Sequence, residues 1–400
     1  MRTSWNFHSA GQLAFGRGAL TELVPLLARR GLRRVFVVTD QCLADTGLVD
    51  QVIAPLRAAN LTFELFRGGE PEPALPIALA ATKAAEAFKP DCILGLGGGS
   101  NMDLAKIVAV LLTHGGHPSK YFGFDKVPGP VIPLICLPTT AGTGSEVSHA
   151  AVLTDSDNQI KVSTLSQYLR PSLALVDPAL TDSCPAKITA DSGIDALTHA
   201  IEGYTAVDFD KLNEPPGQVA YEGRHAIGDC LAEKAIALIG EHLVAAVNDG
   251  ANQVARDGMA LAATLAGLAF SNCGVALVHA LEYPLGGAVH VSHGAGNGLL
   301  LPFVMRFNLV SRQAAFAKIA VLLGENTSGL TAEVAAERAI AAVEHIRAQI
   351  GIPQRLRDLG VHRDQLPDFA SKAFAIKRLM NTNPRQPTQT DLLQILEQAF

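Results

Sequence analysis

An α/β N-terminal domain built on a parallel sheet, followed by an all-α domain, is the fold the sequence predicts, and three observations predict it. The first half alternates short runs of β-branched and apolar residues with Ala-rich helical stretches. From about Ala190 the chain turns to long Ala- and Leu-rich segments at helical period. Pro178 and Pro185 bracket the change, with only the short polar turn Thr181-Asp182-Ser183-Cys184 between them. At 400 residues the chain exceeds the size at which one core stops growing. We therefore expect residues 1–185 to form one domain and residues 186–400 a second, packed tightly with a cleft between them.

Taken in order, residues 34–39 (Arg34-Val35-Phe36-Val37-Val38-Thr39) are rich in β-branched side chains with charge only at the start, the pattern of a buried parallel strand. Residues 76–88 read as a helix, and the apolar run 92–96 as the next strand. Gly97-Gly98-Gly99-Ser100 turns that strand into a helix over residues 102–112. Further strands are expected at 131–137 and 173–176, and helices at 226–247, 253–270 and 331–349. Residues 208–223, with Pro215-Pro216-Gly217, form the clearest irregular insertion in the helical half.

Composition narrows the function. A net charge of -6 gives no basic footprint for nucleic acid. Only 18% of residues are charged, as suits a compact enzyme or a chain with a buried interface. The start Met1-Arg2-Thr3-Ser4-Trp5-Asn6-Phe7 lacks the apolar core of a signal peptide, and no apolar stretch reaches bilayer length, so the protein reads as cytoplasmic. Its six scattered cysteines, with no C-x-x-C pair, read as free thiols in a reducing compartment.

Two loops in the first half carry a phosphate-binding signature. Gly98, Gly99 and Ser100 lie between an apolar strand and a helix, where bare backbone N–H groups and the helix N-terminus favour an anion. The run is not G-x-G-x-x-G, and a tight connection has the same composition. Pro138-Thr139-Thr140-Ala141-Gly142-Thr143-Gly144-Ser145-Glu146 follows the strand ending at Leu137, and places more hydroxyls and glycines at the same carboxyl edge of the sheet. Asp40, directly after the first clear strand, is either a helix N-cap or a partner for adenosine ribose hydroxyls; in the second role it repels a 2'-phosphate and favours NAD over NADP. Lys161 is either a solvated surface lysine or a cation near phosphate or substrate.

In the second half, Asp195 and His199 in Gly193-Ile194-Asp195-Ala196-Leu197-Thr198-His199-Ala200-Ile201-Glu202 stand four residues apart, on one face of a helix. An Asp and a His at that spacing also describe a surface pair or a core histidine. His279 and His293 further on offer two more imidazoles, and one carboxylate with three imidazoles suits a borderline or moderately hard divalent cation. His290 lies three residues before His293, and His149, His225 and His242 have no comparable spacing partner.

These motifs together resemble the iron-containing (group III) alcohol dehydrogenases. The resemblance runs from Gly97-Gly98-Gly99-Ser100 through Asp103 and Lys106, the 138–146 loop, Asp195 to Glu202, His279, His293-Gly294 and Leu301-Pro302 to Asn383-Pro384-Arg385. It implies a dehydroquinate synthase-like arrangement, with an N-terminal domain that binds NAD(P) and a helical domain that holds a divalent metal. That metal would be Fe2+, or Zn2+ or another divalent ion, on Asp195, His199, His279 and His293. It further implies that Gly98, Gly99, Ser100, Asp103, Thr139, Thr140, Thr143 and Lys161 border the dinucleotide, with Asp40 at the ribose; NAD is expected before NADP. The partners implied are a small alcohol or carbonyl substrate and further copies of the chain, in a homodimer or larger homo-oligomer.

Two positions depart from the family pattern. Tyr283 stands where many members have a second histidine near the nicotinamide, and is either a proton relay or a buried structural tyrosine. Glu72 stands where an asparagine is common. The Tyr-Pro variant and the insertion ending Ala220-Tyr221-Glu222-Gly223 resemble the hydroxyacid-oxoacid transhydrogenase branch. That branch adds small hydroxy acids such as 4-hydroxybutyrate as substrates, with Arg170 or Arg224 as carboxylate partners. A metal-dependent reaction on a polyol phosphate and a silent NAD-binding regulatory protein are the remaining alternatives, the second opposed by the complete ligand set.

Overall fold

The computed structural model describes residues 2–156, 160–212 and 219–400. Contacts divide the chain into two compact units, His8–Ser183 and a second made of Met1–Phe7 with Cys184–Phe400.

The first unit contains β1 (Leu13–Phe15), α1 (Leu23–Arg29), β2 (Arg34–Asp40), α2 (Gln41–Asp45), α3 (Leu48–Ala58), β3 (Thr62–Gly69), α4 (Leu75–Phe88), β4 (Cys92–Gly97) and α5 (Gly99–His114). It continues with β5 (Gly123–Phe124), β6 (Leu134–Pro138), β7 (Ala150–Asp155), β8 (Ile160–Leu165) and β9 (Leu173–Val176). Six strands form one parallel sheet in the order β1-β9-β6-β4-β2-β3. The expected strand over 131–137 begins only at Leu134. Pro133, just before it, has no N–H to give a ladder.

Period-two alternation covers both faces of this sheet. Phe36 and Val38 of β2 pack in one apolar cluster with residues of α4 and α5, while Val35 and Val37 pack in another with α1 and α3. Gly95 faces α5, and a Cβ there would lie 2.9 Å from Ala105 Cβ, so the missing side chain lets the helix settle on β4. The chain leaves β2 toward one edge of the sheet and returns to place β4 on the other side of β2. That reversal makes a crevice at the carboxyl ends of β2 and β4, where α/β folds bind ligands. A second sheet, β5-β8-β7, with an antiparallel β7–β8 pair, was not among the sequence expectations.

The second unit contains α6 (Ala186–Thr205), α7 (Ala226–Asn248), α8 (Gln253–Cys273), α9 (Leu277–Val289), α10 (His293–Leu322), α11 (Ala332–Gln349), α12 (Leu366–Ala375), α13 (Lys377–Thr382) and α14 (Gln389–Ala399). The first seven residues group with it, which a division at residue 185 does not anticipate. Their reason is local: the Trp5 ring stacks on His225 at 4.2 Å, and Arg2 and Asn6 both bond the Glu222 carboxylate. Of the expected irregular segment 208–223, residues 213–218 lie outside the described residues. On its flanks Leu212, Val219 and Tyr221 are buried. Among the described residues no single helix is long and apolar enough to cross a membrane.

Candidate functional site

In the helical unit, Asp195 and His199 sit one turn apart on α6, whose run from Thr189 to Thr205 is almost wholly buried. His279 lies in the first turn of α9 and His293 opens α10. Ligand atoms of Asp195, His199 and His279 all fall within 4.8 Å of one another. The His279 ring is 4.9 Å from that of His199 and 5.2 Å from that of His293, so the fourth residue joins the same cluster.

Glycines make this convergence possible. A Cβ on Gly294 would lie 1.9 Å from the Asp191 carbonyl oxygen, and one on Gly298 would lie 2.6 Å from Ile194 Cγ1. The start of α10 therefore touches the backbone of α6, which sets His293 beside Asp195.

Two buried glutamates orient the imidazoles. Glu202 accepts hydrogen bonds from the backbone N–H of Ala276 (2.9 Å) and Val278 (2.7 Å), and its Oε2 lies 2.6 Å from His279 Nδ1. One carboxylate thus closes the entry to α9 and fixes the ring it carries. Glu282 makes a short bond to His293 Nδ1. With both Nδ1 atoms committed to carboxylates, the Nε2 atoms face the cluster, an arrangement typical of histidine metal sites.

Asn297, one turn beyond His293, places its side-chain nitrogen 2.8 Å from Asp195 Oδ1, 3.2 Å from His279 Nε2 and 3.1 Å from His293 Nε2. Its own Oδ1 is buried without a hydrogen-bond partner. Burial pushes the Asp195 carboxyl up, but the three neighbouring imidazoles more than reverse this and hold it below its ordinary range. One carboxylate and three imidazoles, with Asp195, His199 and His279 buried and His293 half-buried, fit a divalent cation. By contrast, His290 is exposed at the left-handed end of α9 (φ 52°), and His225 and His242 lie in packing contacts elsewhere.

Tyr283 follows Glu282 on α9, half-buried, its ring 6.1 Å from that of His293. The two arginines expected as carboxylate partners are otherwise engaged. Arg170 bonds the Val147 carbonyl and Gln167 in the α/β unit, and Arg224 pairs with Asp229 and lies over the Tyr204 ring.

In the α/β unit, β4 ends at Gly97 (φ 142°) and Gly98 caps α5. Packing explains Gly99, where a Cβ would meet Thr143 Cγ2 at 2.8 Å. It does not explain Gly98, where the nearest atom is Thr140 Oγ1 at 3.6 Å, leaving bare backbone at the mouth of the helix. Thr139, Thr140 and Thr143 therefore do border the glycine turn, and Thr139 N donates to the Gly97 carbonyl. The Ser100 hydroxyl accepts from Glu72 N–H at 3.1 Å.

Asp40 caps α2 through Leu43 N–H (2.7 Å), and Asn101, buried between β2 and β4, donates to its other oxygen. A carboxylate with four lone-pair sites still has room for ribose hydroxyls. Asp103, in contrast, is turned into the fold. It accepts from the Ser145 hydroxyl (2.6 Å) and Val152 N–H (2.9 Å), and Lys106 stands 3.5 Å away. Burial raises its pKa and these partners only partly offset that. Lys106, fully buried, donates to Ser145, Ser148 and the Ala150 carbonyl. Lys161 pairs with Glu72 at 2.6 Å. Glu72 itself adopts φ 52°, a left-handed conformation in which asparagine is less strained.

Sequence reasoning assigned no role to Glu202, Glu282, Asn297, Asn101 or Lys106. The signal for the first three was spacing: each follows a ligand histidine by three or four residues, on the same helix face.

Carried on one chain, a glycine turn at the carboxyl edge of a parallel sheet and a carboxylate–imidazole cluster on the helices suit an oxidoreductase. The family pattern described as iron-containing alcohol dehydrogenase matches residues 10–178, and that of the family's C-terminal region matches residues 217–400. The chain is 40% identical to long-chain-alcohol dehydrogenase 1 of Geobacillus thermodenitrificans, over 96% of this chain and 94% of that protein. It is 37% identical to the NAD-dependent methanol dehydrogenase of Bacillus methanolicus, over 99% and 100%. Among solved structures, a 1,3-propanediol oxidoreductase superposes with a TM-score of 0.93 at 36% identity, covering 99% of this chain and all of that one. The chain belongs to the iron-containing alcohol dehydrogenase family. It is an enzyme that interconverts an alcohol with an aldehyde or ketone by hydride transfer.

Proposed function

We propose that the protein oxidises a small alcohol with NAD, using a divalent metal held by Asp195, His199, His279 and His293. The observation that carries this reading is the convergence of ligand atoms of Asp195, His199 and His279, with the His293 ring 5.2 Å from that of His279 and the Nδ1 atoms of both these histidines tied to a buried glutamate. When bound, such a metal supplies a Lewis acid that acidifies the alcohol or, in reverse, polarises the carbonyl, while nicotinamide takes or gives the hydride. The family description favours iron, and zinc is the alternative.

On the protein side, Glu202 and Glu282 hold the imidazoles at fixed tautomer and angle, and the Asn297 amide steadies Asp195 Oδ1. Gly98, Gly99 and Ser100 offer backbone to the pyrophosphate, and Thr139, Thr140 and Thr143 line the turn beside them. Asp40 serves the ribose and disfavours a 2'-phosphate, and the NAD dependence printed for the methanol dehydrogenase relative supports this. Asp103 and Lys161 act by holding their neighbours. Tyr283, close to His293, is the candidate to relay the alcohol proton. Six free cysteines support a cytoplasmic location, and the low charged fraction supports a homodimer or larger assembly.

The test is direct. Protein loaded anaerobically with ferrous iron should bind one metal per chain and form NADH with short primary alcohols, and chelation should abolish both. If neither iron nor zinc restored NADH formation across an alcohol panel, the reading would fall.

A further inference from the structure

We propose that Arg378 is a specificity-determining residue that selects substrates carrying a carboxylate at the end remote from the reacting alcohol, such as short ω-hydroxy acids and their semialdehydes. The proposal deepens the alcohol dehydrogenase reading and rests on it for the location of the reacting carbon.

Arg378 lies on α13, which packs against α9, the helix that carries His279, Glu282 and Tyr283. Its guanidinium carbon is 6.0 Å from the centre of the Tyr283 ring, and that ring is 6.1 Å from the ring of His293. The chain of contacts therefore runs from a metal ligand through one tyrosine to a cation. A second tyrosine, Tyr221, is buried on the same cation, makes a side-chain hydrogen bond with it, and lies close enough to Tyr283 and Glu202 to feel both.

What this cation lacks is a counter-charge. Among the described residues Arg378 forms no ion pair, although Arg2, Arg17, Arg224, Arg306, Arg312 and Arg385 all do. Its Nε is buried with no hydrogen-bond partner. Burial pushes the Tyr221 hydroxyl up to about 12, so that neighbour is neutral at physiological pH. Glu202 is committed to Ala276, Val278 and His279. A half-buried guanidinium without an ion pair is costly unless an anion joins it, and its planar fork matches a carboxylate. Neither Arg170 nor Arg224 is available for that task, because each is engaged by its own neighbours.

The test compares 4-hydroxybutyrate with 1,4-butanediol, which has a similar chain and a neutral end. In the metal-loaded enzyme with NAD, wild type should favour the carboxylate in kcat/KM. Arg378→Met should raise KM for 4-hydroxybutyrate about 10- to 100-fold, as loss of a charged hydrogen bond does, while butanediol changes less than about twofold. Arg378→Lys should recover part of the preference. Calorimetric binding of butyrate should follow the same order of variants. Equal kcat/KM for the two substrates in wild type, or an equal loss for both in Arg378→Met, would overturn the proposal. If neither substrate were oxidised, the dehydrogenase reading would fail, and butyrate binding would still decide on Arg378: weakened by Arg378→Met it supports the assignment, unchanged it refutes it.

Discussion

Glu202 Oε2 lies 2.6 Å from His279 Nδ1, while the same carboxylate takes the backbone N–H groups of Ala276 and Val278. One side chain on α6 therefore fixes both the direction of α9 and the tautomer of the ligand that α9 presents. Glu202→Gln keeps the shape but brings an NH2 group against donors. Metal affinity should fall about 10- to 100-fold, as loss of such partners does elsewhere. Competition with a calibrated chelator measures it, and unchanged affinity would remove Glu202 from the centre.

Asp40→Ser separates the two uses of Asp40. Serine still caps α2 through Leu43 N–H, but the buried Asn101 amide loses its acceptor, so stability should fall by about 1–2 kcal/mol. Without the negative charge, kcat/KM with NADP should rise about tenfold relative to NAD. An unaltered cofactor ratio would leave Asp40 as a cap alone.

Asp103 is expected to matter for the fold before it matters for the cofactor. Asp103→Ala strands the fully buried Lys106 beside Ser145 and removes the acceptor for Val152 N–H. Breaking a buried pair in this way costs about 3–5 kcal/mol. Urea denaturation of the metal-free protein should show that loss, and a stable variant with weakened NAD binding would restore Asp103 to the list of cofactor contacts.

Tyr283→Phe tests the relay. If the hydroxyl passes the alcohol proton, kcat should fall about 10- to 100-fold and the basic limb of its pH profile should move. A variant with unchanged rate and profile would make Tyr283 a wall of the site and nothing more.

Asp208 supplies a pH signature away from the metal. It holds Arg312, which also donates to the Thr205 and Ala206 carbonyls where α6 ends, at the break in α10. Burial raises the Asp208 carboxyl, and Lys211 and Arg312 more than reverse this, so its folded pKa is depressed. Stability from such a group is present above the unfolded pKa and lost as pH falls through the folded one. Asp208→Asn should cost about 1 kcal/mol at neutral pH. The gap to wild type should close as pH drops below about 4, and a pH-independent gap in denaturation midpoints would contradict the argument.

Much of this was legible in the residues, and the omissions have physical causes. β2 and β4 could be read because strands buried on both faces are apolar without interruption, whereas β3 at the sheet edge alternates weakly and left no such trace. Asp195 and His199 share a helix face by spacing, but His279 and His293 come from other helices and were placed only by resemblance. Glu202, Glu282 and Asn297 look like ordinary polar residues until α9 and α10 fold back onto α6. Asp103 lies in the motif expected to border the nucleotide, and both its oxygens are engaged by Ser145 and Val152 within the fold. Arg378 is invisible to any local pattern, because what singles it out is the charge it does not meet.

The contact of α10 with α6 at Gly294 and Gly298 carries a consequence for divergence. Since even a methyl group on Gly294 collides with the Asp191 carbonyl, the spacing of Asp195 and His293 is set by the main chain there. A side chain at Gly294 would push α10 off α6 and carry His293 away from Asp195, so a change of substrate is open only to side chains elsewhere.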